Sequence, residues 1–183
     1  MFLRLVDAAG GTLVPAFAVY GPTGTAVTSA SSGNVASASF AASASGTCTV
    51  VVYDLSTGLT STGDYRLYFT RAPGASAGGA LAPGGAVTAH LEEGAIDSYT
   101  FTAGQGESVF LRVVDLDNAA MVPAFTIYGP AGGVVTNVVS GSVASFSFAA
   151  AVAGTYTVVV YDWSSGFTAT GDYELDFTRT PGP

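Results

Sequence analysis

The sequence predicts an all-β chain of tandem β-sandwich domains, jelly-roll-like or Greek-key in topology. Val, Thr, Tyr and Phe crowd short runs that alternate apolar and polar residues, and Gly, Pro, Asn and Ser bound those runs. Helical periodicity is nearly absent. Shifted by 108 positions against itself, the chain aligns residues 2–74 with 110–182 without a gap, giving 45 identities in 73 pairs. A period of that length denotes tandem domains rather than a solenoid of small repeats.

In the second copy, strands are expected near Val87 to Glu92, Ser98 to Thr102, Ser108 to Val114, Val122 to Tyr128, Val134 to Val138, Ser142 to Ala149, Thr155 to Asp162 and Tyr173 to Thr178. Eight evenly spaced strands in about a hundred residues make a sandwich. Alternation sends Tyr99 and Phe101, Phe125 and Ile127, Phe146 and Phe148, Val158 and Val160, and Tyr173, Leu175 and Phe177 to the core. Thr100, Thr126, Ser147 and Glu174 then face outward. The first copy repeats the pattern with Phe17 and Val19, Phe40, Val50 and Val52, and Tyr65, Leu67 and Phe69.

Residues 76–183 make one complete 108-residue copy, and residues 1–75 are expected to be a copy lacking its opening strands. The segment around 71–85 reads as a linker, rich in small residues and without periodicity. A sandwich without its leading strands exposes an apolar face and an unpaired sheet edge. The absent strands would come from a longer chain or from another molecule.

Composition narrows the function. Of 183 residues 49% are hydrophobic and 10% charged, against roughly 25% charged in ordinary soluble domains. Five Arg, no Lys and a formal charge of -8 leave little to neutralise a phosphate backbone, which excludes nucleic acid as a partner. The opening Met1 to Asp7 is too short and too interrupted for a signal peptide, and no solid apolar block suits a transmembrane helix. Cys48 alone makes no intrachain disulfide, and the absence of Lys excludes Lys–Asn isopeptide staples. Charge is split unevenly: residues 1–75 carry three acids and three arginines, and residues 76–183 ten acids and two arginines.

Few residues offer chemistry. Asp115, Asp117 and Asn118 place hard oxygen donors at a strand end, the set calcium prefers, and the same residues suit an Asx-type turn. The first copy has Ala8-Ala9-Gly10 after Asp7 there, which argues against a cation site intrinsic to the repeat. Glu92, Glu93 and Asp97 flank a hairpin and read as solvated, without the opposed carboxyls across a cleft that glycoside hydrolysis needs. His90 lies in an alternating strand and reads as an ordinary strand histidine. Cys48 replaces Tyr156 of the second copy and reads as a small apolar residue in a central strand, with an intermolecular disulfide as the other option. Trp163 and Phe167 put two large aromatics in one loop, where the first copy has Leu55 and Leu59. They suit either packing against the sandwich end or a neighbouring domain, or a platform for sugar or protein. Arg4 and Arg112, and Arg71 and Arg179, are equivalent pairs, with Asp7 and Asp54, or Asp115 and Asp162, as expected partners. No enzyme and no obligatory cofactor is expected from this set.

The second copy resembles the bacterial pre-peptidase C-terminal domain over most of residues 84–179. The likeness rests on Gly94-Ala95-Ile96-Asp97-Ser98-Tyr99-Thr100-Phe101, Gly104 to Val109, Phe125 to Gly132, Ala153 to Val160 and Thr170 to Leu175. The resemblance implies a secreted β-sandwich with binding or structural duty rather than catalysis. Some relatives bind collagen or polysaccharide and some bind calcium. Together these readings predict an extracellular or cell-surface structural repeat protein, a subunit of a filament, surface layer or adhesin stalk, whose partners are copies of itself or adjacent repeats head to tail. The alternative is a secreted accessory module for polysaccharide or matrix protein.

Overall fold

The structure, a computed structural model, describes residues 1–74, 77–117 and 121–180. It divides into two compact units, Met1–Phe69 and Thr70–Pro183. The second contains eight antiparallel strands: β7 (Gly85–Leu91), β8 (Ile96–Ala103), β9 (Ser108–Asp115), β10 (Pro123–Tyr128), β11 (Val134–Val139), β12 (Val143–Ala149), β13 (Gly154–Asp162) and β14 (Gly171–Thr180). All eight coincide with the expected strands to within two residues at each end. Their sheets run β11-β10-β13-β8 and β12-β9-β14-β7. Numbered within the unit this is 5-4-7-2 over 6-3-8-1, the strand order of a jelly roll. Among the described residues no helix is long and apolar enough to cross a membrane.

Alternation decides the inner faces. Phe101, Leu111, Phe125, Ile127, Val158, Leu175 and Phe177 are all buried in the core. Phe101 lies parallel to Tyr156 at 5.1 Å between centroids and tilts against Phe177 at 4.8 Å, so strands of both sheets meet through rings. Phe146 and Phe148, expected in the core, are half-buried, because β12 is an edge strand with one neighbour, β9. Thr126, expected outward, is buried: its hydroxyl lies 3.2 Å from the Tyr161 hydroxyl and accepts a bond from Asn137 Nδ2 at 3.0 Å.

A polar chain crosses this core. Asp97, Tyr99 and Phe101 alternate along β8 opposite Val160, Val158 and Tyr156 of β13, so all three face inward. The Tyr173 hydroxyl donates to Asp97 Oδ2 at 2.7 Å and sits 2.6 Å from the Tyr99 hydroxyl. Burial raises the pKa of Asp97, partly opposed by the bond from Tyr173, and burial likewise pushes both tyrosines up. Asp97 is therefore no solvated hairpin residue. Its place was readable two residues before Tyr99 and four before Phe101, on the same face of one strand.

The first unit has six strands: β1 (Phe2–Asp7), β2 (Pro15–Tyr20), β3 (Ala26–Ser31), β4 (Val35–Ser39), β5 (Thr49–Asp54) and β6 (Tyr65–Thr70). Its sheets are β4-β1-β6 and β3-β2-β5. They match β12-β9-β14 and β11-β10-β13, and even the bulge between Ile127 and Tyr128 recurs between Val19 and Tyr20. What the first unit lacks, among the described residues, is a counterpart of β7 beside β6 and of β8 beside β5. Leu3, Leu5, Phe17, Val19 and Ala36 still form a core, with Cys48, Val50 and Val52 partly buried against it.

If Tyr173 organises the closed core, its removal must matter more than that of its exposed equivalent, Tyr65. Tyr173→Phe is expected to destabilise the second unit by about 1–3 kcal/mol, since it leaves the partly buried Asp97 without its donor. Tyr65→Phe should change stability by less than about 0.5 kcal/mol. Urea unfolding of the two variants checks this, and equal effects would contradict it.

Candidate functional site

The first unit presents its inner face on one side. Tyr65, Leu67 and Phe69 are 52%, 42% and 53% exposed, whereas the identical residues of the second copy, Tyr173, Leu175 and Phe177, are 0%, 0% and 1% exposed. The same residues at the same strand positions therefore differ only in what lies beside them. Burying each fully is worth roughly 1.5–3 kcal/mol, so half-exposing all three forgoes on the order of 3 kcal/mol. Beside Tyr65 opens a hollow of about 300 Å³, lined by Leu5, Pro15, Val52 and Asp54 among others.

The strands bordering this face are short for the same reason. β13 begins at Gly154 because Gly154, Thr155 and Tyr156 pair with Ala103, Thr102 and Phe101 of β8. β5 begins three residues later in the equivalent frame, at Thr49, which pairs with Tyr20 of β2. Likewise Gly171 and Asp172 join β14 through Leu91 and His90 of β7, and their equivalents Gly63 and Asp64 lie outside β6. Cys48 is thus not in a central strand as expected. It immediately precedes an edge strand, half-buried, where Tyr156 of the second copy stacks on Phe101.

The aromatic loop is built alike in both units. Asp162 accepts bonds from the backbone N–H of Val122 at 3.0 Å, Ser164 at 2.9 Å and Ala169 at 3.2 Å, and from the Ser164 hydroxyl. Asp54 does the same for Val14, Ser56, Ser61 and the Ser56 hydroxyl. The Ser56 hydroxyl bond is the chief reason the Asp54 carboxyl sits below its ordinary pKa. Both carboxylates are taken up by this local set of donors, where an arginine was expected. Arg112 instead bonds Asp176 at 2.8 Å, and Arg179 bonds Glu107 at 3.2 Å and the Thr102 carbonyl at 2.6 Å. Asp176 has Tyr68 as its equivalent, and Arg4 is buried with its guanidinium 5.6 Å from the Phe2 ring centre. The two aspartates are needed locally, where clustered N–H groups of a tight turn point at one carboxylate.

Pinned this way, the loop holds Gly166 and Phe167 at φ of 80° and 56°, and Gly58 and Leu59 at 82° and 55°. A positive φ is strained for Phe and Leu. Trp163 is half-exposed and meets Phe167 edge-on at 5.2 Å, with Tyr161 behind it at 6.1 Å. Leu55 and Leu59 are exposed at the same positions of the first unit. Trp163 and Phe167 are therefore brought together.

Of the calcium candidates, Asn118 lies outside the described residues. Asp115 Oδ1 accepts the Asp117 N–H at 3.1 Å, and Asp117 Oδ2 accepts the Asp172 N–H at 2.8 Å, so both carboxylates are engaged on backbone donors. Among the described residues no three His, Cys, Asp or Glu side chains gather as a metal site would require. His90 sits across from Asp172 in the β7–β14 ladder, Nδ1 to Oδ1 at 2.6 Å on the exposed face.

No family profile matches the chain, and no curated protein matches it. Among solved structures it is similar to the pre-peptidase C-terminal domain of collagenase from Bacillus anthracis, with 17% identity over 54% of this chain and 92% of that one, at a TM-score of 0.46. It is also similar to PliG of Aeromonas hydrophila, a periplasmic inhibitor of g-type lysozyme, with 15% identity over 62% and 94% of the two chains and a TM-score of 0.43. A third is CorA, a surface-associated copper-binding protein of Methylomicrobium album BG8, with 7% identity over 52% and 93% and a TM-score of 0.41. The family named from the sequence thus appears among the similar structures. The likeness is one of fold.

The bond from Asp172 raises the pKa of His90 above its ordinary 6.5, with the charges of Asp172, Glu92 and Asp117 adding to it. A raised folded value means that this pair's stabilisation is complete below pH 6.5 and is lost as pH rises through the folded pKa. NMR titration of the single histidine should give a midpoint above 6.5, and Asp172→Asn should lower it. An unchanged midpoint in that variant would break the assignment.

Proposed function

We propose that this chain is a non-enzymatic, extracellular structural module, a subunit of a filament, surface layer or adhesin stalk, held together by β-sandwich packing and strand complementation. The observation that carries the reading is the duplication: two units that share a strand order, with 45 identities in 73 aligned pairs, follow one another in one chain. Tyr65, Leu67 and Phe69 form an apolar stripe on β6, at the edge of its sheet among the described residues, which a strand from an adjacent repeat or from another copy would cover. The composition supports it, since a chain with 10% charged residues and no Lys has few of the charges that usually guard a sheet edge. A head-to-tail contact that does not close into a ring propagates as a fibre. The chemistry in reach also favours this: the carboxylates located above are tied to backbone N–H groups, tyrosine hydroxyls or cations rather than facing one another across a cleft.

A second reading has its own observation. Trp163, half-exposed on a loop held at strained φ by Asp162, is placed as an aromatic platform would be, and an accessory module for polysaccharide or matrix protein would use it.

Sedimentation velocity of the whole chain over a range of concentrations, with electron microscopy of the same samples, is expected to show concentration-dependent association and fibres. Leu67→Asp together with Phe69→Asp should abolish both, because a charge buried under an added strand is far costlier than one left in water. A chain that stays monomeric at every concentration would remove the structural reading. Trp163→Ala is expected to leave association unchanged. If it instead removed retention on insoluble polysaccharide or collagen while association stayed intact, the accessory-module reading would take its place.

A further inference from the structure

We propose that a hollow beside β11, β12 and the start of β13 in the second unit binds a small uncharged aromatic molecule of one or two rings. The hollow measures about 470 Å³, within the size range of small-molecule sites, and is lined by Pro130, Val134, Val135, Phe148, Val152 and Tyr156 among others. It adjoins the edge strands β11 and β12, one from each sheet of this complete sandwich. Its walls are held without a ligand. The Gly129 carbonyl accepts from Gly132 N–H and the Gly129 N–H donates to Gly133, each at 2.8 Å, which closes the turn between β10 and β11. Pro130 sits so close to Gly154 that a Cβ there would come within 2.8 Å of its ring. Tyr156 stacks on Phe101 at 5.1 Å, tilts against Phe148 at 5.8 Å, and donates its hydroxyl to the Val152 carbonyl at 2.7 Å. A site shaped in advance spends little binding energy on ordering itself.

The lining is particular to the second copy. Ala131, Gly133 and Ala151 stand where the first copy has Thr23, Thr25 and Ser43, Val134 and Val152 where it has Ala26 and Ala44, and Tyr156 where it has Cys48. Three of these differences remove a hydroxyl, two add methyl groups and one adds a ring whose own hydroxyl is already bonded. The core does not call for the added valines, since Val134 and Val152 are 61% and 60% exposed. A ligand seated among them would take that apolar surface out of water. Charge selects its class. Every lining residue is uncharged, so a cation would lose its water there without gaining a carboxylate. An anion would approach a unit with ten acids, whose two arginines, Arg112 and Arg179, are engaged by Asp176 and Glu107. An uncharged molecule meets neither obstacle, and the tilted rings of Phe148 and Tyr156 offer an aromatic one the edge and offset contacts that such rings prefer.

Naphthalene, uncharged and of two rings, is the probe. Titrated into the whole chain with labelled valine methyl groups, it should shift the NMR signals of Val134, Val135 and Val152 saturably and show nuclear Overhauser contacts to the Tyr156 ring. Replacing the rim with first-copy residues, as Ala131→Thr, Gly133→Thr, Val134→Ala, Ala151→Ser and Val152→Ala together, should weaken binding at least about tenfold. The first copy carries each of these residues at the equivalent position, and a Cβ at Gly133 meets nothing within 4 Å. Unchanged Trp163 emission and His90 chemical shift would report that the second unit keeps its fold. Leu67→Asp with Phe69→Asp, in the first unit, should leave the affinity within about twofold, because those residues are remote in sequence and lie in the other compact unit. Undiminished affinity in the folded rim variant, or no saturable shift of the three valines in the parent chain, would overturn the proposal. So would binding that disappears with Leu67→Asp and Phe69→Asp. Valine signals that move with protein concentration alone, without a saturable response to naphthalene, would assign the hollow to a second copy of the chain instead and overturn the small-molecule site.

Discussion

The contact on which the second unit depends is the meeting of β8 and β14 across the core. Two sheets close over an inner face only if the strands near their edges carry side chains long enough to span the gap of about 10 Å between them. Tyr99 and Phe101 from one sheet and Tyr173 and Phe177 from the other do this, and Asp97 receives the hydroxyl that such a span would otherwise bury without a partner. Within this interior a hydrogen-bonded chain fixes the relative position of the sheets. Fully satisfied networks of this kind specify one packing, because any slip leaves a buried donor or acceptor unpaired.

The first unit shows the same architecture with that contact missing. Its inner strands are present and its central core residues are buried, so the fold persists around β1, β2 and their neighbours. The loss is confined to the side where the β8 and β7 counterparts would stand. There the strands shorten, a hollow opens beside Tyr65, and the identical apolar triplet passes from buried to half-exposed. Two repeats identical at 45 of 73 aligned positions, with different exposure in one chain, separate what a residue type prefers from what its neighbours allow.

Other features are indifferent to the missing strands. The loops after β5 and β13 keep the same carboxylate, the same cluster of N–H donors and the same positive φ at Leu59 and Phe167. They are built from bonds within a few residues of the aspartate plus one to the segment before β2 or β10, all of which both units possess. Gly46 and Gly154 behave likewise: both have φ near 145°, and a Cβ at either would fall under 3 Å from Pro22 or Pro130. Local chemistry reproduces itself wherever the local sequence does.

The strand positions, the sandwich class and most of the core were legible in the sequence, because a period of two and a 108-residue duplication are properties of neighbouring residues and of residue order. That Trp163 and Phe167 share one loop was legible too, from their place between two strand patterns. Two things were not. The jelly-roll order depends on which edges pair, and alternation says only which way a side chain points. Asp54 and Asp162 read as arginine partners because opposite charges attract, whereas the fold brings Asp176 to Arg112 and Glu107 to Arg179 and turns Asp54 and Asp162 onto backbone N–H groups that cannot be left bare. Asp97 was read as solvated because it is charged, yet strand parity placed it inside and only the approach of Tyr173 from the opposite sheet made that tolerable. The sequence by itself determined which faces are apolar and where strands run. Only the tertiary structure decided which of those faces are covered, since coverage is set by segments distant in the chain or absent from the unit.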